Sequence, residues 1–171
     1  MISRMSPNKL IDGMIAAALD AADPAQVVKN GLTEVEITAD RIFLVSVGKA
    51  AVAMADAAVR QFGGRIVDGV VTSKLAAEHP SVAPIPDHFT YFQAGHPIPD
   101  ERSIYATQTI REMLMETTAA DHVLCCISGG ASALLTAPVL PLSQWQALNA
   151  PSSIAAVRSM RSTLSASSLM R

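Results

Sequence analysis

Short apolar runs alternate with longer amphipathic stretches along most of this chain. The apolar runs predict buried strands at 41–47, 66–72, 89–93 and 123–127. Helical spacing predicts helices at 10–19, 24–29, 50–62, 102–116 and 131–137, with one more starting at Leu142. Strands that alternate with helices predict an α/β fold in which a mostly parallel sheet is covered by helices on both faces.

The run Val123–Ile127 and the turn that follows it are the most informative stretch. Five consecutive apolar residues predict a strand buried on both faces. The turn Ser128-Gly129-Gly130-Ala131-Ser132 lies between this strand and the predicted helix 131–137, where several backbone N–H groups lack partners. These N–H groups and the helix dipole favour an anion. The alternative is a tight turn that binds nothing.

Two further strand ends carry turns of similar character. The first predicted strand ends in Val47-Gly48-Lys49, and the third leads into Gly95-His96-Pro97. Because ligands bind at the carboxyl ends of parallel strands, we expect the three turns to meet at one edge of the sheet.

Lys49 and His96 are the candidate side chains in these turns. Gly48-Lys49 does not complete a phosphate-binding loop of the Walker type, because Phe43 and Ala50 occupy positions that require glycine and a hydroxyl. A lysine at the first turn of a helix nevertheless indicates an anionic neighbour; a solvated surface lysine is the alternative. His96 could act as a general base, as a hydrogen-bond donor to a phosphate, or as a residue that anchors its loop. The dinucleotide fingerprint G-x-G-x-x-G is absent.

Composition narrows the class of protein. Half of the residues are hydrophobic and the net charge is −2, which is typical of a globular enzyme domain and favours neither a nucleic acid nor a membrane as partner. No signal peptide or membrane span is indicated, and we expect a cytoplasmic protein. Cys125 and Cys126 are adjacent in an apolar run and are predicted to be buried thiols.

The remaining polar candidates have simpler interpretations. His79, His88 and His122 have no partner at ligand spacing, and no residue is assigned to a metal site. Asp100 or Glu101 is predicted to cap a helix N-terminus, and Trp145 to lie in a core or an interface.

The motifs VGKAA (47–51), AGHPIPDERS (94–103) and ISGGASALL (127–135) together resemble the N-terminal domain of the glycerate 2-kinases, a family also called hydroxypyruvate reductases. The resemblance implies a Rossmann-like three-layer domain over 1–149, incomplete relative to the family. It also implies transfer of phosphate from ATP to the 2-hydroxyl of D-glycerate with Mg²⁺, in a cleft against a second domain.

By this resemblance Lys49 is the essential lysine, and the phosphate or substrate loop contains Ser128, Gly129, Gly130 and Ser132. Gly48, His96 and Ala131 complete the predicted binding set. Two departures from the family pattern occur: Ala131 replaces a third glycine, and Ser73-Lys74-Leu75-Ala76 replaces a Lys/Arg-Tyr/Asp-Gly-His run, which weakens any role for Lys74. A reductase and a non-catalytic binding module for phosphate or sugar acids are the alternative functions.

The tail at 150–171 differs from the rest of the chain, because it is rich in serine and contains no acidic residue. Codons chosen for Ser159 to Arg171 translate, in a shifted frame, into a family-like segment. We interpret the tail as a non-native or disordered peptide that follows a frame slip between about Leu148 and Ser159. We therefore expect the chain to be a fragment that is inactive alone.

Overall fold

A computed structural model describes residues 7–74 and 86–150 as an α/β unit. The helices are α1 (Pro7–Ala21), α2 (Pro24–Thr33), α3 (Ala51–Phe62), α4 (Glu101–Met115), α5 (Ala131–Leu134) and α6 (Leu142–Asn149). The strands are β1 (Ile42–Val47), β2 (Ile66–Lys74), β3 (Phe89–Ala94) and β4 (His122–Ile127). A 3₁₀ turn, Gly63–Arg65, joins α3 to β2. The predicted tail, 150–171, lies outside the described residues except for Ala150.

The four strands form a parallel sheet in the order β3-β2-β1-β4, which confirms the predicted fold class. Helices separate the consecutive strands β1 and β2, and β3 and β4, as parallel pairing requires. Because all strands run in one direction, their carboxyl ends lie along the same edge of the sheet.

Helices cover the two faces of the sheet with different side chains. On one face, small residues of α3 (Ala51, Ala55 and Ala58) pack against Ile42 and Leu44 of β1. Because alanine has a small side chain, α3 lies close to the sheet, and the larger side chains in this layer come from the strands. On the other face, Ile110 and Met113 of α4 pack over Phe43, Val45 and Val70.

The prediction that β4 is buried on both faces is wrong. Cys126 is its only buried residue, whereas Cys125 is exposed and Ile127 is 68% exposed. The pairing of Cys125 with Val45 places Val123, Cys125 and Ile127 on the face that carries α4. Within the described residues β4 is the edge strand, and α4 packs over β1, β2 and β3 instead.

Two helix ends also differ from the prediction. The helix α2 continues through Asn30-Gly31 to Thr33. The side chain of Gln26 donates to that of Asn30 at 2.8 Å, and the Asp23 side chain caps the N-terminus. The helix α5 stops at Leu134, three residues before its predicted end, because Leu135 is already extended (φ −124°, ψ 119°). No helix in 7–74 or 86–150 has the length and apolar character to cross a bilayer.

Candidate functional site

The three predicted turns follow β1, β3 and β4 at the carboxyl edge of the sheet. The β1 and β4 turns are adjacent because their strands pair directly. The β3 turn starts two strands away from β1, and its loop brings His96 back to the start of α5. The expected convergence of the three turns on one edge is therefore present in the structure.

Backbone and hydroxyl hydrogen bonds join the β1 turn to the β4 turn. The N–H of Lys49 donates to the carbonyl of Gly129 at 3.0 Å, and the N–H of Ser128 donates to the carbonyl of Val47 at 2.9 Å. The Oγ of Ser128 accepts from the N–H of Ala50 at 3.1 Å. These contacts fix the position of the Lys49 backbone relative to the glycine turn.

Gly48 is required by this close approach. It adopts φ +123°, and a Cβ at this position would overlap the side chain and backbone of Ser128. Its N–H donates to the carbonyl of Thr72 at 3.1 Å, which ties the same turn to β2. Gly48 and Ser128 therefore have a structural function here, and their contact with a ligand stays a prediction.

Lys49, His96 and Gly130 lie together. A Cβ at Gly130 would lie 2.8 Å from Nε2 and Cδ2 of His96 and 3.6 Å from Cγ of Lys49. Gly130 adopts φ +95°, so both its conformation and its surroundings require glycine. His96 is half-buried and Lys49 is exposed, which leaves the ammonium group of Lys49 accessible to a ligand.

The glycine turn also presents unpaired backbone donors. Among the described residues, the N–H groups of Gly129, Gly130, Ala131 and Ser132 have no hydrogen-bond acceptor. Because α5 has only four residues, its dipole adds little, contrary to the sequence-based expectation. The positive charge at this turn therefore comes from Lys49, and the N–H groups add directional donors.

Asp100 holds the loop that carries His96. Its side chain accepts from the N–H of Ser103, and Ser103 Oγ accepts from the N–H of Asp100, which confirms the predicted N-cap of α4. Burial alone would raise the pKa of Asp100, but hydrogen bonds from Arg102 and from the backbone of Gly95 and Ser103 outweigh it and lower that pKa. A Cβ at Gly95 would lie 2.5 Å from the carbonyl oxygen of Ile98, so the loop is closely folded.

The other histidines that the structure describes lie away from this edge. His122 begins β4, and His88 precedes β3, where its ring packs edge-on against Phe89 at 4.8 Å. Both are at the amino ends of strands, opposite the candidate site. His79 lies outside the described residues. Trp145 was predicted to lie in a core or an interface; it is half-buried in α6, and its Nε1 has no partner among the described residues.

Sequence reasoning missed the supporting contacts of the site. Asp100 is predicted from the sequence only as a helix cap, although its side chain also lies against Gly95, where a Cβ would come within 3.0 Å of its Cγ. The Ser128 hydroxyl reaches a residue 78 positions earlier in the chain, and no local pattern indicates such a contact. The motifs AGHPIPDERS (94–103) and ISGGAS (127–132) were the available signal that both loops are specialised.

A model of the family described as "Domain of unknown function (DUF4147)" matches residues 10–164. The D-glycerate 2-kinase of Thermotoga maritima is 37% identical over 139 residues, which are 81% of this chain and 32% of that protein. A putative hydroxypyruvate reductase of Agrobacterium vitis is 31% identical, over 85% of this chain and 32% of its own length.

Solved structures agree with these matches. The crystal structure of the Thermotoga maritima glycerate kinase superposes with a TM-score of 0.72 at 37% identity, covering 82% of this chain and 33% of that one. A crystal structure of a Pyrococcus horikoshii protein superposes with a TM-score of 0.64 at 27% identity, covering 83% of this chain and 34% of its own. The chain thus spans about a third of the length of the relatives it matches.

Proposed function

Because this chain belongs to the DUF4147 family, with relatives that are named glycerate kinases, we propose that it is the N-terminal part of a glycerate 2-kinase. The reaction is phosphoryl transfer from ATP to the 2-hydroxyl of D-glycerate, which gives 2-phosphoglycerate and ADP. The observation that carries the proposal is the convergence of Lys49, His96 and the unpaired N–H groups at Gly130.

The residues of this edge match what phosphoryl transfer requires. Such a reaction depends mainly on positioning and on positive charge or N–H donors at the phosphate oxygens. Lys49 supplies the charge, and the turn from Gly129 to Ser132 supplies donors in fixed positions. His96, against Gly130, adds a side-chain hydrogen-bonding group, and Ser128 keeps Lys49 in register with the turn.

ATP and Mg²⁺ are the proposed cofactors, and the described residues fit them unequally. The donors around Gly130 fit a phosphate of ATP, which supplies the transferable phosphoryl group when bound. No group of three or more His, Cys, Asp or Glu side chains in 7–74 and 86–150 could hold a metal ion. Mg²⁺ that is bound through the phosphates of ATP and one or two carboxylates does not require such a group, and we derive no step through the metal.

A hydroxypyruvate reductase is the second candidate, because the Agrobacterium vitis relative carries that name. Hydride transfer would require a dinucleotide site, and the chain has no G-x-G-x-x-G fingerprint. A lysine and a nest of N–H donors suit a phosphate better than a nicotinamide ring. A non-catalytic binding module would keep the same donors without turnover.

We further propose that the 171-residue chain is inactive alone. Catalysis by positioning is sensitive to missing groups, and the chain spans about a third of its relatives' length. The measurement is ADP release from ATP and D-glycerate by the purified chain, with NADH oxidation by hydroxypyruvate in parallel. ADP release at the rate of a complete kinase would contradict inactivity, and NADH oxidation would favour the reductase.

A kinetic test of the role of Lys49 requires a protein that contains the rest of the kinase. We suggest joining residues 1–149 to the part of the Thermotoga maritima kinase that lies beyond the match. In this chimera, Lys49→Ala should lower kcat/KM at least tenfold, about 1.4 kcal/mol of transition-state stabilisation. Lys29→Ala, at an exposed lysine of α2, is the matched control. Equal kinetics of the two variants in an active chimera would contradict the assignment of Lys49.

A further inference from the structure

One cationic side chain at the carboxyl edge of the sheet is not used by the proposed function. Lys74 is the last residue of β2, two residues beyond the predicted end of that strand. In the sheet order β3-β2-β1-β4, β2 lies between the strands that lead into His96 and Lys49. Lys74 therefore lies at the same edge, between the carboxyl ends of β1 and β3.

The strand register also sets the face on which Lys74 lies. Lys74 pairs with Ala94, which precedes His96 by two residues and packs with Val47 and Leu134. Paired residues of parallel strands share a face, so Lys74 lies on the face that α5 covers. Gly130, which contacts His96 and the side chain of Lys49, immediately precedes α5. Lys74 thus lies on the same face of the sheet as the helix that follows the Gly130 turn.

Lys74 is half-buried and has no ion-pair partner among the residues that the structure describes. The ion pairs among the described residues involve Arg41, Arg60 and Arg102. Lys49 follows the end of the neighbouring strand β1, so two like charges lie on adjacent strand ends. An anion bound between Lys74 and Lys49 would offset the repulsion between them.

We propose that Lys74 is a further anion-binding residue and that the site spans three neighbouring strand ends. Two ammonium groups at adjacent strand ends suit a ligand with two anionic groups, such as two linked phosphates, better than a single anion. The proposal rests on the proposed function, since it extends the same site. The departure from the family pattern at 73–76 had weakened this residue as a candidate; its place in the register supports it.

The first test compares inorganic phosphate with pyrophosphate as probes of the intact 171-residue chain. Isothermal titration calorimetry at low ionic strength gives the Kd of each probe. We expect the wild type to bind pyrophosphate more tightly than phosphate. Lys74→Met should raise the Kd for pyrophosphate about tenfold, because it removes one charged contact with the ligand. Lys74→Arg should retain most of the affinity, and Lys29→Met should bind as the wild type does.

The outcomes separate the two proposals. Unchanged binding in Lys74→Met, with binding lost in Lys49→Met, would overturn the role of Lys74 and leave the proposed site intact. No binding of either probe by the wild type would overturn both.

A second measurement needs no variant. Acetylation of lysines in the wild type, followed by mass spectrometry, should show that pyrophosphate slows modification of Lys74 and Lys49 several-fold while Lys29 reacts unchanged. Protection of Lys49 without Lys74 would contradict the proposal even if Lys74→Met fails to fold.

Discussion

The strands β1 and β4 lie side by side and both lead into turns of the candidate site, but they differ in burial. All six residues of β1 are buried, whereas only Cys126 is buried in β4. The difference follows from position: β1 has a paired strand on each side, and β4 has one among the described residues. The candidate site thus lies where a fully buried strand, β1, pairs with a mostly exposed one, β4.

This contrast has a consequence for the turns. The β1 turn is fixed by hydrogen bonds to both neighbouring strands, through Thr72 on one side and Gly129 on the other. The β4 turn receives its contacts from the β1 turn and from His96, and Val123 and Ile127 on its own strand remain exposed. We therefore expect substitutions in β1 to lower the free energy of unfolding strongly, and similar substitutions on the exposed side of β4 to lower it only slightly.

Two isoleucines give the largest expected difference. Ile42 in β1 is fully buried and Ile127 in β4 is 68% exposed. Ile42→Ala should lower the free energy of unfolding by about 3 kcal/mol, because it leaves a cavity in the core. Ile127→Ala should cost less than about 1 kcal/mol. Urea unfolding measures both, and equal costs would contradict the assigned edge position of β4.

If Ile42→Ala does not fold, the milder pair Ile42→Val and Ile127→Val preserves the comparison. The first change should cost about 1 kcal/mol and the second close to nothing.

Two neighbouring glycines test the turn itself. Gly130→Ala should destabilise the chain by about 2 kcal/mol, because φ is positive there and the new methyl would press on His96. Gly129→Ala is the matched control, since nothing lies within 4 Å of its Cβ position. Thermal unfolding of both variants gives the difference. A tolerated alanine at Gly130 would mean that His96 does not contact this turn.

Two adjacent thiols test the exposure of β4 at a finer scale. Burial and the neighbouring Cys125 raise the pKa of Cys126 to about 11, and burial also raises the pKa of the more accessible Cys125. At pH 8 a thiol reagent should modify Cys125 at least about tenfold faster than Cys126 in the folded protein. Peptide mapping after timed labelling distinguishes them, with Cys125→Ser as the control. Equal rates would indicate that β4 is covered on both faces or on neither.

The smallest effect concerns the loop that brings His96 to Gly130. The lowered pKa of Asp100 means that its carboxylate stabilises the fold above its unfolded pKa of about 3.9. This contribution is lost as the pH falls through the lower pKa of the folded state. Asp100→Asn keeps the cap and loses the charge, so it should cost less than about 1 kcal/mol at pH 7 and nothing at low pH. A difference between wild type and variant that grows as the pH falls would contradict this account.

The sequence was sufficient for the order of elements and for the convergence of the three turns. Parallel strands must end at one edge, so the glycine turns at Gly48, Gly95 and Gly129 were informative without knowledge of strand order. The burial of β4 could not be predicted, because β1 and β4 have equally apolar sequences and differ only in their place in the sheet. The hydrogen bonds of Ser128 and Asp100 likewise depend on tertiary contacts that no local pattern encodes.

The central claim is that Lys49, His96 and the turn at Gly130 form one anion site. The most direct measurement is a titration of the ¹⁵N-labelled chain with inorganic phosphate, followed by heteronuclear NMR. The account predicts that the largest amide shifts fall together in 48–50, 95–96 and 128–132, and that Lys49→Met reduces them. Saturable amide shifts that are confined to other parts of the chain would contradict this account. The absence of any amide shift, at phosphate concentrations at which the chain stays folded, would also contradict it.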